Sequence, residues 1–121
     1  VTILKAAAAA LALMGAAAAS QARAQETAAT TGDLNCAVVG FVLAASENEG
    51  EQQAGLMLAF YYFGRLSALG GGFDMQKRLK EVAEGMGDEQ FGAEAKRCGE
   101  ELEKIGDAMK RFGDSMDEKK S

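Results

Sequence analysis

Two cysteines, scattered carboxylates and one arginine beside two tyrosines are the side chains in this 121-residue sequence whose types and spacing could do chemistry. Cys36 and Cys98 could form a redox pair, but no C-x-x-C occurs and the chain has no His to activate a thiolate. The same absence removes Ser-His and Cys-His nucleophile systems. It also removes the usual axial ligand of a helical haem bundle, and no C-x-x-C-H is present to attach haem covalently. Two cysteines that pair with each other leave too few ligands for zinc. No phosphate-cradling glycine fingerprint occurs, and Gly70-Gly71-Gly72 before Phe73 reads as a loop. No metal and no cofactor are expected.

The remaining polar groups read as follows. Glu100, Glu101 and Glu103 cluster late in the chain, with Glu81 and Glu84 upstream, and paired carboxylates can do acid–base work or hold a cation. Lys96, Arg97, Lys104 and Lys110 are interleaved at helical pairing distances, which favours a solvated, ion-paired face. Arg65 follows Tyr61 and Tyr62 by one turn. It either anchors an anionic ligand beside two rings or lays its stem over the core and pairs with a carboxylate. The expectation is a protein that is not an enzyme.

Lys5, the Ala/Leu run from Ala6 to Ala19 and the small-x-small triplet Ala22-Arg23-Ala24 have the layout of a cleavable signal peptide over 1–24. A mature chain beginning at Gln25 is expected in the periplasm or secreted. Lys5 and Arg23 leave with the peptide, which takes 13 basic residues to 11 against 18 acidic ones, a net charge of −7. Such a surface disfavours nucleic acid and anionic lipid. Ala54 to Gly64, the longest uncharged apolar run after the leader, is too short to span a bilayer, so no membrane insertion is expected after cleavage. In that compartment Cys36 and Cys98 are expected to pair, and closing so long a loop stabilises by about 4 kcal/mol in the chain-entropy model.

These residues need elements to position them. A flexible leader is expected over 25–32, and a helical domain over 33–118 with a tail over 119–121. Asp33 is expected to cap a first helix that runs to Ser46, with a polar turn to Gly50. The second helix, Glu51 to Leu69, is apolar nearly all round in its middle, as in a central buried helix. Asp74 caps a third helix with Met75, Leu79, Val82 and Met86 on one face. Gly87 ends it, and Asp88 caps the last.

That last helix carries a heptad seam: Phe91, Ala95, Cys98, Leu102, Ile105, Met109, Phe112 and Met116. Beside the seam Gly92, Gly99, Gly106 and Gly113 recur every seven residues. Because each costs about 1 kcal/mol against Ala, they are expected to seat a neighbouring helix. The fold class is therefore all-α, a small bundle of about four helices with one interhelical disulfide and a long heptad-patterned C-terminal helix. The long helix outruns its neighbours, so Met109, Phe112 and Met116 are expected to overhang as an apolar strip that makes a homodimer or captures an apolar segment of another protein.

The stretch FYYFGRLSALGGGFD, with a cysteine before it and AEAKRCGEEL after it, resembles short exported Gram-negative proteins of unknown function over roughly Leu34 to Phe112. In architecture the chain is similar to the acid-stress periplasmic chaperones, with a leader, about four helices and one disulfide between distant helices. The combined expectation is a non-enzymatic exported interaction protein, a stress chaperone or a binder of another exported protein. The alternative is a small inhibitor or immunity-type protein that blocks a partner enzyme. An acid chaperone should lose order as its 18 carboxylates protonate, whereas an inhibitor should stay folded.

Intact-mass analysis of the exported protein tests the leader and the pairing together. The mass should start at Gln25 and show no alkylation without reductant. A product that retains Ala6 to Ala19, or takes up two alkyl groups, contradicts the reading.

Overall fold

The computed structural model describes residues 26–119, and among them the structure is entirely helical. The four helices are α1 (Ala28–Ala44), α2 (Glu49–Ser67), α3 (Met75–Gly85) and α4 (Asp88–Glu118). The expected signal peptide and Gln25 lie outside the described residues. No described helix is long and apolar enough to cross a membrane. The chain divides into a unit ending at Thr31 and a unit of Gly32–Ser121. In the first, the Thr27 hydroxyl accepts from the backbone N–H of Thr30 at 3.2 Å, as an N-cap does.

This cap corrects two expectations. Residues Ala28 to Gly32 are helical rather than a flexible leader, and Asp33 is not a cap but an interior residue of α1. The other helix starts follow side-chain chemistry more closely. Asn48 accepts from Glu51 N–H at 3.1 Å to start α2, and Asp74 accepts from Lys77 N–H at 3.1 Å to start α3. Gly70, at φ 83°, turns the chain out of α2. Gly87 is the N-cap of α4 and has no side chain to offer, so Asp88 is the first helical residue, placed favourably for the helix dipole. α4 is continuous to Glu118.

Within the second unit, α1 and α2 run antiparallel. Asp33 pairs with Arg65 at one end, and Gly55 meets Leu43 and Ala44 at the other. The crossing is made by glycine. A Cβ on Gly40 would stand 2.5 Å from the Ala59 nitrogen, and one on Gly55 would stand 2.3 Å from the Ala44 nitrogen. These are backbone atoms and cannot swing aside. α4 runs antiparallel to α1: Phe91 and Asp88 share a groove with Val42, while Cys98 is bonded to Cys36.

The core is Leu34, Cys36, Ala37, Val39, Leu58, Tyr62, Leu66 and Cys98. The most enclosed stretch is therefore the middle of α1, where every residue from Cys36 to Gly40 is buried. It is not α2, which buries only Gly55, Leu58, Ala59, Tyr62 and Leu66 and leaves Leu56, Met57, Phe60 and Phe63 exposed. Small side chains let α1 accept neighbours on several sides, whereas the bulky α2 residues fill only one.

The heptad glycines do not seat a helix. A Cβ on Gly92, Gly99, Gly106 or Gly113 would meet nothing within 4 Å. Each glycine follows a seam residue by one position, about 100° round the helix and away from the stripe that α1 and α2 cover. Opposite mutational signs follow. Gly106→Ala and Gly113→Ala should each raise stability by up to about 1 kcal/mol. Gly40→Ala and Gly55→Ala should each lower it by about 1–3 kcal/mol or more. Denaturant midpoints at constant m-value measure both. A neutral Gly55→Ala would contradict the crossing.

Candidate functional site

The disulfide between Cys36 and Cys98 has a Cα–Cα distance of 5.5 Å, and both residues are fully buried. Arg97, one residue along α4, closes over it. Its Nη2 donates to the Gly32 carbonyl at 3.1 Å and to Glu94 Oε2 at 2.5 Å, and lies 3.3 Å from Cys36 Sγ. Its Nη1 donates to Glu101 Oε1 at 3.0 Å, and the other oxygen of Glu101 accepts from the Tyr62 hydroxyl at 2.7 Å. One guanidinium thus ties α4 to α1, and one carboxylate ties that guanidinium to α2. Glu101 does more than decorate a solvated face, a role invisible in its i,i+4 spacing to Arg97.

The Sγ atoms of Cys36 and Cys98 and a carboxylate oxygen of Glu94 lie within 4.8 Å of one another, a set that could ligate a metal. Both sulfurs are spent in the disulfide, and Glu94 already faces the Arg97 cation, whose protonation it reinforces through their hydrogen bond. The donor set therefore does not fit a metal in the oxidised protein.

Arg65, Tyr61 and Tyr62 do not form one exposed site. Arg65 Nε donates to Asp33 Oδ2 at 2.9 Å, a bond that strengthens its protonation, and its guanidinium carbon lies 5.8 Å from the Tyr61 ring centroid. Tyr61 is half-buried and stands edge-to-face with Tyr62 at 4.9 Å. Tyr62 is only 2% exposed. Its ring belongs to the core and its hydroxyl to the Arg97 clamp.

Two apolar surfaces are left uncovered. The first is the end of α4. α2 continues only about 8 Å past Tyr62, whereas α4 continues about 25 Å past Glu101. Every described residue from Gly106 onward is exposed. Met109 is 70% exposed, Phe112 66% and Met116 50%. The overhang begins at Gly106, slightly before the Met109 expected from helix lengths.

The second surface was missed at the sequence level. Phe41 and Ala44 of α1, with Leu56, Ala59, Phe60 and Phe63 of α2, line a groove of about 280 Å³ with no polar side chain in it. Phe41 and Phe63 meet edge-to-face across it at 6.3 Å. The signal was available in α2, whose apolar residues form two stripes rather than one.

The clamp makes a pH prediction. Burial first, then the hydrogen bond and negative charge of Glu101, raise the Tyr62 phenol above its ordinary 10.0. The unfolded chain therefore loses this proton at lower pH than the folded one. The contribution of neutral Tyr62 to stability is complete below pH 10.0 and is lost as pH rises through the raised value. Tyrosinate absorbance should show a late step that coincides with loss of helix, and Tyr62→Phe should remove it at a cost of about 1–2 kcal/mol at neutral pH. Full ionisation at the ordinary value with the helices intact would place the phenol outside the clamp.

No protein-family model, no curated protein and no solved structure matches this chain, so its function is read from these residues alone.

Proposed function

We propose that this is a non-enzymatic exported interaction protein, periplasmic or secreted, that captures an apolar segment of another exported protein on the free end of α4. The observation that carries the reading is the exposed seam of Met109, Phe112 and Met116 on a helix that projects past its bundle. Unbranched Met beside Phe gives an adaptable apolar contact, suited to segments of varied shape as in a stress chaperone. A helix presenting anchors at four- and three-residue spacing is also a recurrent way to grip a partner. The reading is supported by a buried disulfide, which persists in oxidising compartments, and by the net negative charge. It is supported too by the engagement of Glu94 and Glu101 with Arg97, which leaves neither carboxylate poised as an acid or base.

A Met109/Phe112/Met116→Ser variant tests the proposal. These side chains are exposed, so the unfolding midpoint should move by no more than about 0.5 kcal/mol per residue. Suppression of aggregation of an unfolded exported protein, and crosslinking to partners in intact cells, should both fall severalfold. Unchanged protection and an unchanged crosslinking pattern would end the reading. A stoichiometric complex with one folded enzyme, and no protection of unfolded chains, would replace the chaperone with an inhibitor.

A further inference from the structure

We infer that the second apolar surface, the α1–α2 face, is a homodimer interface on which a second copy of this chain packs the same face about a two-fold axis. Two α1–α2 hairpins would then close into a four-helix layer.

Area is the first argument. Phe41, Leu56, Met57, Phe60 and Phe63 are each between 41% and 77% exposed, which leaves on the order of 500 Å² of apolar side chain uncovered per copy. That is the upper end of what a monomer ordinarily shows. Doubled across a two-fold axis it reaches about 1,000 Å², the threshold of a specific interface, before any polar rim is counted.

The face is also self-complementary. The most exposed of these side chains is Phe60, at 77%, and the groove beside it is floored by Ala44 and Ala59. At about 280 Å³ the groove takes one aromatic ring. The face therefore carries both a knob and the hole that fits it, as an isologous interface must.

Charge is the third. α2 has no Asp, Glu, Lys or Arg between Glu51 and Arg65, and α1 has none beyond Asp33. The exposed stripe of α2 continues at helical spacing from Leu56 back to Glu49 and from Phe63 on to Ser67. With α2 antiparallel to its copy and centred near Leu58, Leu56 faces the partner's Phe60 and Glu49 faces the partner's Ser67. No like charges meet, and the acidic ends of the two copies lie furthest apart. A parallel arrangement would bring those acidic ends together. Charge depletion at the centre with polar residues at the rim is the composition of an interface core.

Sedimentation equilibrium of the oxidised, exported protein tests this over a wide concentration range. The wild type should be a dimer that dissociates on dilution. Phe60→Glu and, separately, Met57→Lys should weaken dimerisation at least about a hundredfold, because each change enters the interface twice. Both side chains are exposed in one copy, so the helical circular dichroism and the disulfide should be unchanged. The Met109/Phe112/Met116→Ser variant should remain dimeric, which separates this inference from the capture reading. A wild type that is monomeric throughout, or two folded face variants that dimerise as well as the wild type, would overturn it. So would a strip variant that becomes monomeric.

Discussion

The contact on which the rest depends is the backbone crossing of α1 and α2 at Gly40 and Gly55. It brings main-chain atoms of one helix to where a side chain of the other would stand. A gap this narrow leaves α1 with small side chains, from Cys36 to Gly40, and gives this domain a thin core. A thin core has two consequences. The middle of α1 is enclosed on several sides at once, and the large residues of α2 that point away from the crossing have nothing left among the described residues to cover them. The exposed Phe60 face follows from the same glycines that make the hairpin tight.

The disulfide and the Arg97 clamp then decide where α4 sits. Cys98 is held to Cys36, Arg97 to the Gly32 carbonyl, and Glu101 to Tyr62, so residues within about one turn of α4 touch three different points of the hairpin. All three lie in the first half of a 31-residue helix. The second half is exposed from Gly106 to the last described residue, and the overhang is the geometric remainder of an anchor placed early. Among the described residues no buried side-chain polar atom lacks a partner. The clamp therefore ties the helices together without the desolvation penalty that an unpaired buried group carries.

The helices, the Asp74 cap, the cysteine pair and the overhang were legible in the sequence because each rests on local spacing or on a helix length. What was not legible depends on how many neighbours a helix has. An α2 that is apolar all round fits a central helix, and it fits equally a helix with one face buried and one face awaiting a partner. Composition does not separate the two. A count of apolar faces does, because α3 and α4 carry one narrow stripe each and α1 spends its own on the crossing, so no face is left for Phe60. The glycines misled for a related reason. Regular spacing drew attention to Gly92, Gly99, Gly106 and Gly113, which face open space, while Gly40 and Gly55 stand in no series. Their importance emerges only in the antiparallel register that sets Asp33 beside Arg65. Asp33 looked like a cap because it precedes an apolar run. Thr27 holds that role one and a half turns earlier, since a helix can start in any segment whose first free N–H groups find an acceptor.

Past Ile105 every described residue of α4 is exposed, and an isolated segment of this length is marginal in water even when built from good helix formers. Gly106 and Gly113 weaken it further, by about 2 kcal/mol together. Its local contacts include an exposed Lys110–Asp114 pair at 3.4 Å and a Ser115 hydroxyl that donates to the Phe112 carbonyl. An exposed pair of this kind stabilises by only about 0.3–0.5 kcal/mol. The exposed end of the apolar seam is thus mounted on the uncovered half of α4, while the disulfide and the Arg97 clamp anchor the other half. A segment in this condition binds at the cost of being ordered, which lowers affinity for any one partner and widens the range of shapes it can meet. In the proposed capture role that balance would favour transient contact over tight binding, and it follows from where the glycines and the disulfide lie along a single helix.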